Sequence, residues 1–154
     1  MKKAILWVNL LALGLFIFSG CSKKKDDPNP VANQKHMKFS ITTTGLTAAD
    51  NFTVQVSGSD VQTSTTTIYK VNGVAQNNQR GIEITNAQFR AGKVVIETIV
   101  PLYISSVTII GDGADGHSFS YKLEPEVDGK PRAVINKTIT PASYSDSFQY
   151  SADN

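Results

Sequence analysis

The sequence predicts an all-β protein built as a single antiparallel β-sandwich. Three observations carry this. Between His36 and Asn154 nearly every apolar cluster alternates with a period of two residues rather than 3.6, which places side chains on the two faces of a strand and not along a helical stripe. Turn signals built on glycine, asparagine and aspartate recur every eight to twelve residues, the spacing of short strands in a sandwich. No segment shows a convincing helical pattern.

The strands follow in order. Phe39-Ser40-Ile41-Thr42 opens the series and Phe52-Thr53-Val54-Gln55-Val56 repeats its alternation, with Gly45 and Asp50-Asn51 between them. Thr65 to Val71 is β-branched almost throughout, a composition suited to a pleated, half-buried surface. Asn72-Gly73 behind it is a two-residue hairpin signal, because both residues tolerate positive φ. Ile82-Glu83-Ile84 alternates after Gly81. Lys93 to Val100 predicts a strand buried on both faces for part of its length, since Val94, Val95 and Ile96 are consecutive, and Pro101 ends it for want of an N–H. Ile104 to Ile110 is the next strand, and Gly111-Asp112-Gly113-Ala114-Asp115-Gly116 predicts a loop. Phe119-Ser120-Tyr121-Lys122-Leu123 alternates, Asp128-Gly129 marks another turn, and Ala133 to Ile139 returns. Tyr144 to Tyr150 places Tyr144, Phe148 and Tyr150 on one face by parity. Eight or nine such strands fit an immunoglobulin-like or transthyretin-like sandwich.

The 119 residues from His36 to Asn154 make one domain. Ahead of it, Ser22 to Lys35 is polar, contains Pro28 and Pro30, and offers almost nothing apolar to bury, so residues 21–35 read as a flexible tether of up to about 45 Å when extended. Residues 1–20 have the layout of a cleaved secretory signal peptide: Met1-Lys2-Lys3, an apolar run from Ala4 to Phe18 interrupted only by Asn9, then the small residues Ser19 and Gly20. That run is short of the roughly 20 apolar residues a spanning helix needs.

Cys21 follows at once and is the only cysteine in the chain, so no intramolecular disulfide exists. This stretch resembles the lipobox of bacterial lipoproteins, with Phe18 standing three before the cysteine where the family usually has an aliphatic residue. The resemblance implies that Cys21 takes a diacylglycerol, with further fatty-acyl (palmitate) modification, and becomes the new N-terminus. Two or more acyl chains hold a protein stably on a bilayer, at about 0.8 kcal/mol per buried methylene. Lys23, Lys24 and Lys25 followed by Asp26 and Asp27 carry two readings. One is a solvated tether. The other is a resemblance to the export signal of surface lipoproteins in Bacteroidota, which implies the outer membrane and an outward face.

Once Lys2 and Lys3 leave with the signal peptide, 13 basic side chains balance 13 acidic ones. No basic field remains for nucleic acid. Enzyme constellations are equally sparse. His36 and His117 are the only histidines, and Ser118, next to His117, points to the opposite face of a strand, away from any triad geometry. No phosphate loop or zinc spacing is present. Asp112 and Asp115 in "GDGADG" resemble a fragment of a calcium loop, with Glu124 and Glu126 further on; an Asp/Gly-rich hairpin loop explains the same residues without metal. Tyr103, Phe119, Tyr121, Tyr144, Phe148 and Tyr150 read either as core or as an exposed patch for a sugar or protein. The expectation is a lipid-anchored, non-catalytic binding or accessory module with no cofactor. Its partners are the bilayer and an unidentified protein or glycan. The alternative is a subunit resembling fimbrillin-like lipoproteins, for which a donated terminal strand near Tyr144–Asn154 would be the sign. An envelope enzyme ranks last.

Overall fold

A computed structural model describes residues 33–60 and 65–152; Cys21, the expected signal peptide and the tether before Asn33 lie outside them. The described strands are β1 (Met37–Thr44), β2 (Asn51–Ser59), β3 (Tyr69–Val71), β4 (Val74–Ala75), β5 (Gly81–Thr85), β6 (Val94–Thr98), β7 (Ile104–Asp112), β8 (Phe119–Val127), β9 (Lys130–Pro131), β10 (Ile135–Ile139) and β11 (Tyr144–Ser151), with a short α-helix, α1 (Asn86–Arg90), between β5 and β6. One sheet runs β10-β8-β1-β6-β3-β4, with β9 also pairing β8, and the other runs β11-β7-β2-β5. All pairings are antiparallel. The expected all-β sandwich is the fold of the chain.

The period-two pattern becomes the core. Met37, Phe39 and Ile41 of β1 and Phe52, Val54 and Val56 of β2 face inward, joined by Val107 and Ile109 of β7 and Phe119, Tyr121 and Leu123 of β8. Phe52 sits at the centre of an aromatic cluster, with ring centroids 4.8 Å from Phe89, 5.6 Å from Phe119 and 5.8 Å from Tyr121. Each such ring contributes about 1.5–3 kcal/mol by leaving water. Asn72 and Gly73 both take positive φ between β3 and β4, and Asp128 and Gly129 do the same between β8 and β9, so both dipeptides form the two-residue turns their sequence specifies.

Several elements differ from the sequence pattern. Helix α1 is real although only Phe89 in it is apolar and buried; a single turn has no period to detect, and it exists because Phe89 plugs the end of the sandwich against Phe52. Gly111 and Asp112 belong to β7 rather than to a loop. A side chain at Gly111 would meet Ile139 Cδ1 at 2.9 Å and the Asn51 carbonyl at 3.0 Å, so the glycine marks close packing. Only Tyr69–Val71 of the expected Thr65–Val71 strand is regular; the Thr65 carbonyl accepts from Arg80, and the Thr66 and Thr67 hydroxyls bond to Asn78. Val95 is half-buried on the outer face while Val94 and Ile96 are buried, so β6 is covered fully on one face only. With β4 and β9 counted, the described strands number eleven.

Pro125 lies inside β8 yet breaks nothing. On the side away from β1, β10 covers β8 only as far as Leu123 and β9 begins at Glu126. The proline occupies that gap, where no ladder partner needs its missing N–H, and its carbonyl accepts from Arg132 N at 2.8 Å. Residues 132–134 therefore span the space between β9 and β10. At the same end of the sandwich Lys35 pairs with Leu102 through two backbone bonds and its ammonium lies 3.0 Å from Asp128.

Candidate functional site

Two places bring chemistry-bearing groups together. The first is the end of the sandwich formed by the β1–β2 and β7–β8 connections. Its centre is Asp50, whose side chain is fully enclosed. One carboxylate oxygen accepts from Thr47 N at 2.7 Å and Thr47 Oγ1 at 2.8 Å. The other accepts from Ala114 N at 3.0 Å, and His117 Nδ1 lies 3.0 Å from both. A carboxylate only accepts, so Nδ1 carries the proton and donates. Burial alone would raise the Asp50 pKa, but the bonds from Thr47, Ala114 and His117 outweigh it and hold the carboxyl far below its ordinary value. Asn86 Nδ2 closes the arrangement by donating to the carbonyls of Thr47 at 2.9 Å and Asp50 at 2.6 Å.

This places His117 with Asp50, a residue the sequence marks only as part of a turn, and not with Asp115. Asp115 is exposed, at φ 50° in the short 3₁₀ turn Ala114–Gly116. Asp112 accepts from Asn51 Nδ2 at 3.1 and 3.0 Å across the β2–β7 pair. Among the described residues no group of three or more His, Cys, Asp or Glu side chains is placed to hold a metal ion. His36 lies at the opposite end, its N–H donating to Asp128 Oδ1 at 2.9 Å.

The second place is a groove of ≈ 490 Å³ beside β11, lined by Val127, Arg132, Ile135, Phe148 and Tyr150 among others. Its floor is apolar because the even-numbered residues of β11 face inward. The Tyr150 ring packs tilted against Phe39 with centroids 5.1 Å apart, and Tyr144 Oη is 2.9 Å from Tyr121 Oη. Burial pushes the Tyr150 phenol up to about 12 and raises that of Tyr121 further. Of the six aromatics singled out in the sequence, Phe119 and Tyr121 are core, Tyr144, Phe148 and Tyr150 pack partly buried against it, and Tyr103 is exposed. Arg132 has no motif around it in the sequence, and only the gap opened at Pro125 brings it to the groove.

The sheet surfaces are unlike. Outward residues of the larger sheet pair as Lys38–Glu126 at 2.8 Å, Lys70–Glu97 at 3.3 Å and Lys122–Glu124 at 2.6 Å. The smaller sheet presents Thr53, Gln55, Ser57, Ser106, Thr108, Ser145, Ser147 and Gln149 in register, with Glu83 beside Gln55.

Fold and site together define an antiparallel two-sheet β-sandwich with a hydrogen-bonded aspartate hub at one end and an apolar groove along one edge. Three solved structures share this fold. One is the NMR structure of the calcium-bound form of a protein from Parabacteroides distasonis (15% identity, TM-score 0.57, 79% of this chain and 98% of that one). Another is a domain of unknown function, DUF4425, from Bacteroides vulgatus (13% identity, TM-score 0.60, 77% and 95%). The third is a DUF4425 family protein from Bacteroides ovatus (12% identity, TM-score 0.57, 79% and 98%). No protein-family model matches the sequence, and no curated protein does.

Proposed function

We propose that the chain is a lipoprotein held on the outer membrane through Cys21, and that its β-sandwich is a non-catalytic module that binds a partner protein. The anchoring rests on the lone Cys21 directly behind a short apolar run. One structural observation supports the binding role: the apolar groove against β11, an edge strand that among the described residues pairs only with β7. The dyad that resembles catalytic machinery, Asp50 with His117, instead ties the β1–β2 and β7–β8 connections together, and Ser118 takes no part in that contact. Strand β11 pairs with β7 over all eight of its residues, so donating it to a neighbour would strip the home sheet.

Crosslinking of intact cells followed by purification through the lipidated protein tests both halves. The expected result is an envelope-fraction protein whose mass begins at residue 21 with added acyl chains, and which carries a reproducible protein partner. Unmodified chain with a free Cys21 thiol in the soluble fraction would sink the anchoring.

A second reading concerns calcium, favoured by the bound form described for the P. distasonis protein. Asp112, the last residue of β7, and Asp115, within the short 3₁₀ turn at the hub end, are the candidate calcium ligands. Calorimetric titration with calcium, repeated on Asp112→Asn and on Asp115→Asn, tests it; heat of equal size from all three proteins rejects these two residues.

A further inference from the structure

We propose that the C-terminal half of β11 is an acceptor edge for an extended peptide, one with apolar side chains at alternate positions and a carboxylate that meets Arg132. This deepens the binding-module reading by naming the partner's chemistry, and it rests on that reading.

The backbone supplies the first argument. Ala152 N donates to Tyr103 O, on the β7 side, at 3.1 Å. N–H directions alternate along a strand, so the amides of Tyr144, Asp146, Phe148 and Tyr150 face β7 and those of Ser145, Ser147, Gln149 and Ser151 face the free side. The Ser147 amide is stoppered by its neighbour, donating to Asp146 Oδ1 at 2.8 Å. An inward-set acid on an edge strand is a recognised guard against unwanted pairing. Among the described residues nothing caps Gln149 or Ser151 in this way. The guard stops where the groove begins, since the groove is lined by Ser147 to Ser151 on this side.

The side chains supply the second. A strand laid beside β11 would sit about 4.8 Å away and turn every other side chain inward, onto Val127, Ile135, Phe148 and Tyr150. Ser147 to Ser151 spans roughly 13 Å, room for four or five residues of peptide. At the wall, Arg132 has a buried Nε with no hydrogen-bond partner among the described residues. A buried donor left unpaired is costly, and a guanidinium fork fits a carboxylate in two parallel bonds. Apolar floor, unpaired edge and unpaired arginine converge on one kind of occupant.

The test uses the full chain, isotope-labelled in detergent, with two probes: acetyl-Val-Thr-Val-Thr-Glu-amide, which sets both valines and the glutamate on the groove face, and the same peptide ending in glutamine. The glutamate probe should slow amide hydrogen exchange at Gln149 and Ser151 at least tenfold and bind at least fivefold more tightly than the glutamine probe. Arg132→Gln should erase that preference. Gln149→Pro should abolish binding, because it removes a groove-facing N–H while leaving the β7 ladder intact. No protection at these two amides in millimolar probe, equal affinity for both probes, or occupation of the edge by a second copy of β11 seen as a dimer in sedimentation each overturns the proposal. A crosslinked partner recovered from cells alongside silent probes would leave the binding module standing and remove this edge from it. Probe binding by a chain recovered unlipidated would leave both the edge and the binding module standing and remove only the anchoring.

Discussion

Replacing Asp50 is the sharpest test of how the hub end is held. Its carboxylate is enclosed and accepts from Thr47 N, Thr47 Oγ1, Ala114 N and His117 Nδ1 at 2.7–3.0 Å. Thr47 is exposed, so water replaces much of what its two bonds contribute. Ala114 and His117 are only half-exposed and lose a charged acceptor each, at about 1.5 kcal/mol apiece. Asp50→Ala should therefore cost about 3 kcal/mol, and Asp50→Asn about 2 kcal/mol, since an amide keeps one acceptor and turns an NH₂ toward the remaining donors. For a domain of this size that is a fall of roughly 12 °C and 8 °C in Tm. The pH dependence is a second signature. A carboxyl whose folded pKa is depressed stabilises the fold above its unfolded value of about 3.9 and loses that contribution as pH falls below it; Asp50→Asn should flatten the acid limb. Urea unfolding followed by circular dichroism between pH 2 and 7 reads both. An Asp50→Asn protein within 0.5 kcal/mol of wild type at pH 7, with an unchanged acid limb, refutes the hub.

Phe52→Ala should cost about 4 kcal/mol, because the ring contacts Phe89, Phe119 and Tyr121 and its removal leaves a cavity; thermal unfolding checks it. Gly129→Val should cost about 1–2 kcal/mol, since Gly129 takes φ 72° in an open position where strain is the only penalty, and urea midpoints measure it. Stability should fall as pH rises from about 10 toward 12, because burial raises the phenols of Tyr69 and Tyr150 to about 12 and the unfolded chain then releases protons the folded one keeps. Melting curves across that range follow it.

The sandwich was legible in the sequence because alternation is a local property: Phe39 and Ile41, or Phe119, Tyr121 and Leu123, declare their face within five residues. The Asn72-Gly73 and Asp128-Gly129 turns were legible for the same reason, since positive φ is a demand on the dipeptide itself. What escaped depends on distance. Asp50 and His117 meet across 67 residues, and nothing near Asp50 marks it as more than a turn residue. Thr65 to Thr67 have strand composition, but the Thr65 carbonyl is taken by Arg80 and the Thr66 and Thr67 hydroxyls by Asn78, so tertiary context overrides propensity. Arg132 reaches the groove only because β9 and β10 leave a gap at Pro125, which no window around Arg132 reveals.

The two candidate places lie at different heights on the domain, and that bears on how a lipid-anchored module would work. Strand β1 leaves the Lys35 end at Met37 and reaches the hub end at Thr44, about 26 Å for its eight residues. The β11 segment Ser147–Ser151 pairs with Ile104 to Thr108, and Ile104 pairs in turn with Ser59 at the Lys35 end. The groove thus sits near the point where the tether would join, and the Asp50 hub sits away from it. With Cys21 as the attachment point, a tether of at most about 45 Å keeps the groove within a narrow layer above the lipid. A partner fixed in the same membrane then meets the groove as a tethered reactant, at an effective concentration set by the tether rather than by solution. Under that condition a weak, four- or five-residue strand contact suffices, whereas a soluble partner would need a larger surface than this groove offers. Lengthening the tether with a flexible insert after Pro30 should therefore weaken capture of a membrane-fixed partner while leaving peptide affinity in solution unchanged.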